Sequence, residues 1–433
     1  MRNLFRSLSY LIVLILVLSP AVSGQGLPAV SPEEVGLSGE RLERIDTVVE
    51  QYIDENKVAG VVALVARKGK IAHLKAFGMS DIEAKKPMRT DTIFRMASMT
   101  KPITTVAVMM LYEEGHFLLN DPLSKFIPEF RDMKVLVPSS PGEASSRPYT
   151  LVPAKNEITI LNLLNHTSGI TYGIKGHEHI ARLYSKAGIS DGLTQTEGTI
   201  GDTVKKMAKM PLVNHPGEAF HYGLSIDVLG YFVEVISGMP LDEFFRERIF
   251  KPLGMKDSYF FLPDDKVSRL AALYESTADG GIRRAPEFPV VQGYTIHSSN
   301  YHYQGPRTYF SGGAGIVSTI DDYTRFLQMI LNGGELEGAR LLSRKSVELM
   351  TNNSLGDLWN EKEKFGLGFG IRPLNGHFDE LGTAGTYRWS GYFGTNFWVD
   401  PEEEMIMIIL TQLRPRTNLN SKFKVLAYQA VVD

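Results

Sequence analysis

The chain reads Phe94-Arg95-Met96-Ala97-Ser98-Met99-Thr100-Lys101-Pro102-Ile103-Thr104 where a helix is predicted to begin. Residues three apart on the first turns of a helix share one face, so the hydroxyl of Ser98 and the amine of Lys101 are expected to meet. A serine hydroxyl is a weak nucleophile until a base removes its proton, and a lysine buried in apolar surroundings can be that base. The run therefore makes Ser98 a candidate nucleophile and Lys101 its candidate base.

The Ser-x-x-Lys spacing is a weak signal by itself. It occurs again in Ser421-Lys422-Phe423-Lys424, near the other end of the sequence. That second copy is typical of a capping serine and a solvated lysine on a surface helix. Only partners elsewhere in the chain can separate Ser98 from this ordinary alternative.

Two further segments can supply such partners. A loop ahead of one predicted helix carries Tyr222, whose phenol could share a proton with Ser98 and Lys101. Near the C-terminal end, the run Trp389-Ser390-Gly391-Tyr392 begins a predicted strand. Glycine at that point lets a substrate approach the backbone closely.

Taken together, these segments resemble the class C β-lactamase-like serine hydrolase superfamily, and most closely its family VIII carboxylesterases. The resemblance covers about residues 30 to 430. Its motifs are, in chain order, Ser98-Met99-Thr100-Lys101, His166-Thr167-Ser168-Gly169, Pro216-Gly217 ahead of Tyr222, Gly312-Gly313-Ala314-Gly315 and the Trp389 strand. Their order and spacing make the set far more specific than Ser-x-x-Lys alone.

The resemblance implies an α/β (α+β) fold of the β-lactamase/DD-peptidase type. An antiparallel sheet built from the N- and C-terminal segments, with flanking helices, would carry an inserted and mainly helical region. Ser98 would be acylated, Lys101 and Tyr222 would shuttle its proton, and the backbone N–H groups of Ser98 and Tyr392 would form the oxyanion hole. No metal or organic cofactor is implied, and the substrate would be a small ester or amide.

Two departures from the pattern bear on specificity. Penicillin-recognising members usually carry Tyr-x-Asn, whereas Leu224 stands in place of the Asn here. They also usually carry Lys-Thr-Gly on the strand, whereas this chain has Trp389-Ser390-Gly391. We therefore expect Leu224, Trp389, Ser390 and Gly391 to contact the substrate without a positive charge, since strand alternation points Arg388 to the other face.

These features favour an esterase that cleaves short-acyl carboxylic esters through an acyl-enzyme intermediate, with weak β-lactam hydrolysis allowed as a side activity. One alternative with the same chemistry is a β-lactamase or a penicillin-binding DD-peptidase. An alternative of another class is a non-catalytic protein that binds a cell-wall ligand. A receptor has no need of Ser98, Lys101 and Tyr222 as a set, which argues against the second alternative.

Composition places the chain among ordinary globular proteins. It has 433 residues, 43% of them hydrophobic, and a net charge of −3, so no basic surface suggests nucleic acid. It contains no cysteine, which excludes thiol catalysis, zinc–thiolate sites and a lipoprotein anchor. The sequence gives no information on oligomeric state.

The N-terminal residues have the layout of a secretory signal peptide. Arg2 and Arg6 precede an apolar run from Tyr10 to Leu18, and Pro20 and small residues follow it. The apolar run is short for a membrane anchor, which takes about 20 residues. We therefore expect residues 1–26 to be removed, residues 27–433 to form a single catalytic domain without stable membrane insertion, and the protein to be periplasmic or secreted.

Periodicity predicts two hairpins and a helical middle. The hairpins cover residues 60–77 and 395–411, and they are expected to pair into one antiparallel sheet, with 405–411 buried on both faces. A mainly helical region is expected over about residues 105–300. Long loops are expected at 137–153 and 280–306, and Asp321 and Ser343 stand where helix N-caps belong. The predicted helices are 104–114, 158–165, 201–210, 225–237, 241–249, 320–331 and 343–350.

Overall fold

The computed structural model describes residues 26–139, 149–173, 178–292, 295–358, 363–373 and 380–433. Most of the expected signal peptide therefore lies outside the described residues. The helices are α1 (Gly39–Asp54), α2 (Thr100–Glu113), α3 (Ile160–Leu164), α4 (Glu178–Lys186), α5 (Ile200–Met207), α6 (Ser225–Ser237), α7 (Leu241–Phe245, continued by a π turn at Arg246–Phe250), α8 (Ile320–Leu331), α9 (Arg344–Thr351) and α10 (Leu419–Tyr428). No helix of this described part combines the length and apolar character needed to span a membrane.

Short and long strands alternate with these helices. They are β1 (Gly60–Arg67), β2 (Lys70–Asp81), β3 (Lys86–Pro87), β4 (Phe94–Arg95), β5 (Lys134–Pro138), β6 (Tyr149–Pro153), β7 (Tyr274–Ser276), β8 (Ile282–Arg284), β9 (Val290–Gln292), β10 (Thr295–His297), β11 (Val317–Ser318), β12 (Glu335–Leu336), β13 (Ala339–Arg340), β14 (Lys364–Phe365), β15 (Gly370–Ile371), β16 (Tyr387–Ser390), β17 (Asn396–Asp400), β18 (Met405–Leu410) and β19 (Leu413–Arg414).

The main sheet joins the two ends of the chain. Its order is β14-β15-β16-β17-β18-β1-β2-β3, and each neighbouring pair is antiparallel. The N-terminal hairpin meets the C-terminal hairpin where Leu64 of β1 lies opposite Ile408 of β18. The predicted fold class is confirmed, as are both hairpins and the burial of β18 on both faces.

Alternation along β1 divides the molecule into two cores. Val62 and Leu64 belong to the larger core, which contains the buried faces of α2, α6 and α8. Val61 and Ala63 point the other way, into a core shared with α1 and α10. All eight residues of β1 are buried, as expected for a central strand covered by helices on both faces.

Both of the predicted long loops contain strands instead. Strands β5 and β6 overlap the first of these segments and pair antiparallel, with Val135 opposite Val152; residues 140–148 lie outside the described part. The second segment contains β8, which pairs with the preceding strand β7, and also contains β9 and β10, which pair with each other. Proline and glycine in these segments concealed strands of only three to five residues.

One predicted helix cap was also misplaced. The N-cap of α8 is Thr319, whose side chain accepts a hydrogen bond from the Asp322 amide, and Asp321 lies in the first turn instead. The N-cap of α9 is Ser343, as expected, because its hydroxyl accepts from the Ser346 amide. The error arose because threonine and aspartate both cap helices well and stand two residues apart here.

Candidate active site

Ser98 lies on a tight turn between a strand and a helix. Strand β4 pairs with β11, and the chain then enters a 3₁₀ turn at Ala97–Met99 that leads directly into α2. Ala97 has a φ of +45°, a left-handed conformation that costs a non-glycine residue about 1 kcal/mol or more. Ala97 and Met99 are fully buried, whereas Ser98 is only half-buried. The turn therefore presents the Ser98 hydroxyl while its neighbours anchor it in the core.

Lys101 is fully buried on the first turn of α2, and its ammonium has three acceptors. Nζ donates to the Ser98 Oγ at 3.3 Å, to the Tyr172 hydroxyl at 2.8 Å and to the Gly313 carbonyl at 2.7 Å. Within the described residues, no carboxylate lies within ion-pair distance of this nitrogen. When the amine loses its proton, the freed lone pair can accept from the Ser98 hydroxyl, which is the arrangement that a general base needs.

Tyr172 was missed by the sequence reasoning. It follows the His166–Gly169 motif in the chain, and the fold brings its hydroxyl onto Lys101 across 71 residues of sequence. Burial raises the pKa of Tyr172 well above its usual range, and the neighbouring Tyr222 and Asp227 raise that pKa further. Tyr172 is therefore a neutral phenol that can accept from Lys101 and donate to another group.

Tyr222 lies close to the same lysine but meets it in a different way from the one expected. The Lys101 ammonium is 4.9 Å from the centre of the Tyr222 ring, a cation–π contact, and the side chain of Tyr222 hydrogen bonds with that of Tyr172. The structure thus brings Ser98, Lys101 and Tyr222 together, with Tyr172 placed between the lysine and the Tyr222 hydroxyl.

His166 holds the loop that carries Tyr222 in place through hydrogen bonds. Its carbonyl accepts from the His221 amide at 2.8 Å, and its Nδ1 accepts from the Gly223 amide at 3.4 Å, so the contacts bracket Tyr222 on both sides. The ring packs against Tyr222 at 4.8 Å between centroids. Burial holds the pKa of His166 well below its usual range, and the charge of Lys101 adds to that effect, so the imidazole is neutral.

Aromatic rings form one wall of the site. Trp389 on β16 packs against Tyr222 at 5.3 Å and against Phe365 at 5.2 Å between centroids. Phe365 in turn contacts Phe220 at 5.4 Å. Trp389 is half-buried, so part of its ring stays available. This wall offers apolar surface and no charge.

Strand β16 ends against the turn that carries the candidate nucleophile. A Cβ added at Gly391 would lie 2.4 Å from the Met96 carbonyl, so only glycine fits there. The Gly391 amide donates to Thr395 at 2.8 Å, and the Thr395 hydroxyl donates to Met96 at 3.4 Å. Ser390 and Tyr392, on either side of Gly391, are half-buried.

Two expectations about neighbouring residues differ in outcome. Arg388 forms an ion pair with Glu363, so its charge is already matched. Leu224 has no exposed surface and packs into the main core at the N-cap of α6, which leaves it no surface to offer a substrate. The substitution of Leu224 for Asn therefore removes a polar group from this position rather than adding a substrate contact.

The second Ser-x-x-Lys run has neither the predicted capping serine nor the predicted solvated lysine, because α10 has Asn418 at its N-cap and Lys424 is buried. Ser421 is exposed on α10, and Lys424 pairs with Glu380 at 2.9 Å. The paired lysine has no free role as a base for Ser421.

Comparison with known proteins agrees with this geometry. The family model described as Beta-lactamase matches residues 45–429. Esterase EstB of Burkholderia gladioli is 32% identical over 379 residues, which cover 85% of this chain and 89% of EstB. Among solved structures, EstCE1, a hydrolase with promiscuous acyltransferase activity, is 27% identical with a TM-score of 0.75, covering 91% of this chain and 99% of EstCE1.

A more distant structure shares the fold alone. Unliganded simvastatin synthase (LovD) from Aspergillus terreus is 22% identical with a TM-score of 0.72, covering 90% of this chain and 99% of LovD. The family match spans both hairpins of the main sheet, the residues between them and the Ser98 turn. The chain therefore belongs to the beta-lactamase family and is a serine hydrolase.

Proposed function

We propose that the protein is a carboxylesterase that cleaves short-acyl esters, with Ser98 as nucleophile and Lys101 as its base. The observation that carries this proposal is the buried Lys101 ammonium, which contacts the Ser98 hydroxyl and has no carboxylate in an ion pair among the described residues. A lysine held by neutral acceptors can give up its proton, whereas a lysine in a buried ion pair cannot do so cheaply. The similarity to EstB supports ester substrates.

The reaction follows the two-step route of serine esterases. Ser98 Oγ attacks the ester carbonyl while its proton passes to Lys101, and the hydrogen-bonded phenols of Tyr172 and Tyr222 relay that proton to the departing alkoxide. Water then attacks the acyl-enzyme, its proton returns through the same groups, and the carboxylic acid leaves. The amides of Ser98 and Tyr392 hold the oxyanion, each contributing about 3 kcal/mol.

The wall beside the nucleophile favours esters over β-lactams. A β-lactam carries a carboxylate next to its scissile amide, and desolvating that anion without a cation costs several kcal/mol. Trp389, Ser390 and Gly391 contact the substrate in the proposed complex, and they supply no charge. Arg388 is engaged by Glu363. A neutral ester needs no cation, and its alkoxide leaves more readily than an amine.

Comparing two substrates tests the function. We expect kcat/KM for p-nitrophenyl butyrate to exceed that for nitrocefin by about a hundredfold or more, equivalent to about 2.7 kcal/mol of transition-state stabilisation. Ser98→Ala should abolish both activities, and a fluorophosphonate should label the parent protein once, on Ser98. Faster turnover of nitrocefin would overturn the esterase assignment and leave the serine mechanism standing. Labelling of Ser390 or Ser421, or an active Ser98→Ala protein, would overturn the nucleophile.

Substitution of the strand residue tests the reason for that preference. Trp389→Lys should narrow the gap between the two substrates by improving the KM for nitrocefin. Trp389→Met, which removes the ring without adding charge, is the matched control and should leave nitrocefin binding unimproved. Equal gains in the two variants would show that the size of the indole, rather than missing charge, excludes the β-lactam.

We also propose that the protein is exported to the periplasm or secreted. The support is the sequence from Arg2 to Gly24, with its basic start, short apolar run and small residues.

A further inference from the structure

Asp227 is a buried carboxylate behind the candidate active site. It lies on the first turn of α6 and has no exposed surface. Its Oδ1 accepts from the Ser311 hydroxyl at 2.5 Å and from the Gly313 amide at 3.2 Å. Its Oδ2 has no hydrogen-bond partner in the described part of the chain. An incompletely satisfied buried carboxylate is costly, so its presence calls for a physical reason.

Gly313 lies between this carboxylate and Lys101. The Gly313 amide donates to Asp227, and the Gly313 carbonyl accepts from Lys101 Nζ at 2.7 Å. A Cβ at Gly313 would lie 2.2 Å from Asp227 Oδ2, so the carboxylate packs directly on the backbone. The adjacent Gly312 carbonyl is fixed by the Thr104 hydroxyl at 2.6 Å. Asp227 thus holds one of the three acceptors of the lysine in place.

The titratable groups around Lys101 in the described part of the chain come from the loop after α3, the loop before α6 and α6 itself. The loop after α3 contributes the neutral phenol of Tyr172 and the neutral imidazole of His166. The loop before α6 contributes Tyr222, and α6 contributes Asp227. The charge of Asp191 acts on Tyr172 and raises the pKa of that phenol.

The two ionisable groups act on each other. Burial raises the pKa of Asp227 above its usual range, while the positive charge of Lys101 and the hydrogen bonds from Ser311 and Gly313 act in the opposite direction. A negative charge near an ammonium favours its charged form in general, and Asp227 and Lys101 bind opposite ends of the same residue, Gly313.

We propose that Asp227 is a positioning residue that orients the Gly313 carbonyl toward Lys101 and, by its charge, sets the pH at which Lys101 becomes able to act as a base. The inference rests on the proposed function, because it concerns the base of that reaction. Its consequence is that removing the charge of Asp227 should make Lys101 competent at lower pH.

Asp227→Asn tests this inference, because it keeps the size and one carbonyl oxygen but removes the charge. We expect the acid limb of the kcat/KM profile for p-nitrophenyl butyrate to move to lower pH by about one unit. The rate of Ser98 phosphonylation by a fluorophosphonate should show the same displacement. A merely structural role would lower activity or stability without moving the limb.

Two further variants keep the test decisive. Ser311→Ala retains the charge but removes a hydrogen bond that favours the ionised carboxylate, so it should move the limb in the same direction by a smaller amount. This variant carries the test alone if Asp227→Asn does not fold. The matched control is Asp322→Asn, since Asp322 is another buried carboxylate, which accepts from Ser258 and the Asp257 amide at 2.7 Å on α8. It should lower stability and leave the limb in place.

The outcomes separate the two proposals. A limb that stays in place in both Asp227→Asn and Ser311→Ala, in a protein labelled at Ser98, overturns the role of Asp227 alone. An equal displacement in Asp322→Asn also overturns it, because the effect would then be general to buried carboxylates. Full turnover by Ser98→Ala overturns the proposed function, whatever the pH profiles show.

Discussion

At the scale of single residues, two phenols and one amine form the centre of the site. Tyr172 accepts directly from Lys101, and Tyr222 reaches the lysine through its ring face and through Tyr172. A chain of hydrogen bonds moves a proton only if each member can both accept and donate, which a neutral phenol can do. The two tyrosines should therefore act as a unit.

Replacing each tyrosine by phenylalanine tests this unit. Tyr172→Phe removes a hydrogen bond to a charged group, which is worth about 1.5 to 3 kcal/mol, so kcat should fall by about tenfold or more. Tyr222→Phe should also lower kcat. The double variant should lose less than the product of the two single losses, because each loss already breaks the same relay.

The control for these variants is Tyr184→Phe. Tyr184 is buried, and its side chain hydrogen bonds with the backbone of Thr171 rather than with Lys101. It should cost stability and spare kcat. Unchanged rates in Tyr172→Phe across about pH 6 to 9 would remove Tyr172 from the mechanism, and losses that multiply would show that the two phenols act separately.

The sequence predicts the contacts at this scale that are local. Ser98 and Lys101 are three residues apart on one helix, so helical geometry alone predicts that they meet. The contact of Tyr172 with Lys101 depends on how the segment after α3 packs against α2, and no local pattern encodes it. The predicted substrate contact of Leu224 was wrong for a similar reason. A residue two positions after Tyr222 can face either the cleft or the core, and the direction of α6, which begins there, decides between them.

At the scale of elements, α1 packs on β2 through a contact between Asp46 and His73 in which the imidazole is uncharged near neutral pH. His73 Nε2 lies 3.6 Å from Asp46 Oδ1, and Asp46 is also engaged by Lys75. Burial lowers the pKa of His73 to about 4, with Asp46 opposing the change and Lys75 adding to it. His73 is therefore neutral in the folded protein near neutral pH.

His73 should make the α1–β2 contact acid-sensitive. Because its folded pKa lies below the unfolded value, the stabilisation is present above about pH 6.5 and is lost as pH falls toward 4. Between about pH 7 and 4.5 the free energy of unfolding should drop by about 2 to 3 kcal/mol from this group. His73→Gln should remove that part of the drop in urea unfolding. His116 is exposed, so His116→Gln is the control and should show the same loss of unfolding free energy with falling pH as the parent. If the parent, His73→Gln and His116→Gln had the same pH dependence of unfolding, the prediction would be wrong.

Elements were predicted well where their apolar periodicity was long. The long strands β1 and β18 and the helices α6 and α8 were all predicted close to their observed bounds, because burial of a whole face leaves a clear pattern. The β5–β6 pair was not predicted, because some of its apolar residues, such as Leu151, are exposed, so the sequence shows only a weak alternation of apolar and polar residues. Short strands at the rim of a fold are specified by their partners more than by their own sequence.

At the scale of the whole molecule, the proposed export predicts a shortened chain. Mass spectrometry of periplasmic or secreted material should find a mature N-terminus near Gln25, because the small residues before it suit a signal peptidase. A variant with Arg2 and Arg6 replaced by glutamate should accumulate unprocessed, since it loses the basic start. Intact protein retained in the membrane fraction of the parent would instead favour an N-terminal anchor.

Because β1 pairs with β18, the main sheet cannot be completed until the C-terminal part of the chain has been synthesised. The N-terminal hairpin is synthesised early, and one edge of β1 can pair with β2 immediately. The other edge of β1 stays unpaired until the strand at 405–410 has been made. Until then, the nascent chain is expected to expose a row of unpaired amides on β1, and an unpaired strand edge of this kind favours aggregation. We therefore expect the N-terminal hairpin to be prone to aggregation until the C-terminal strand has been synthesised and has paired with it.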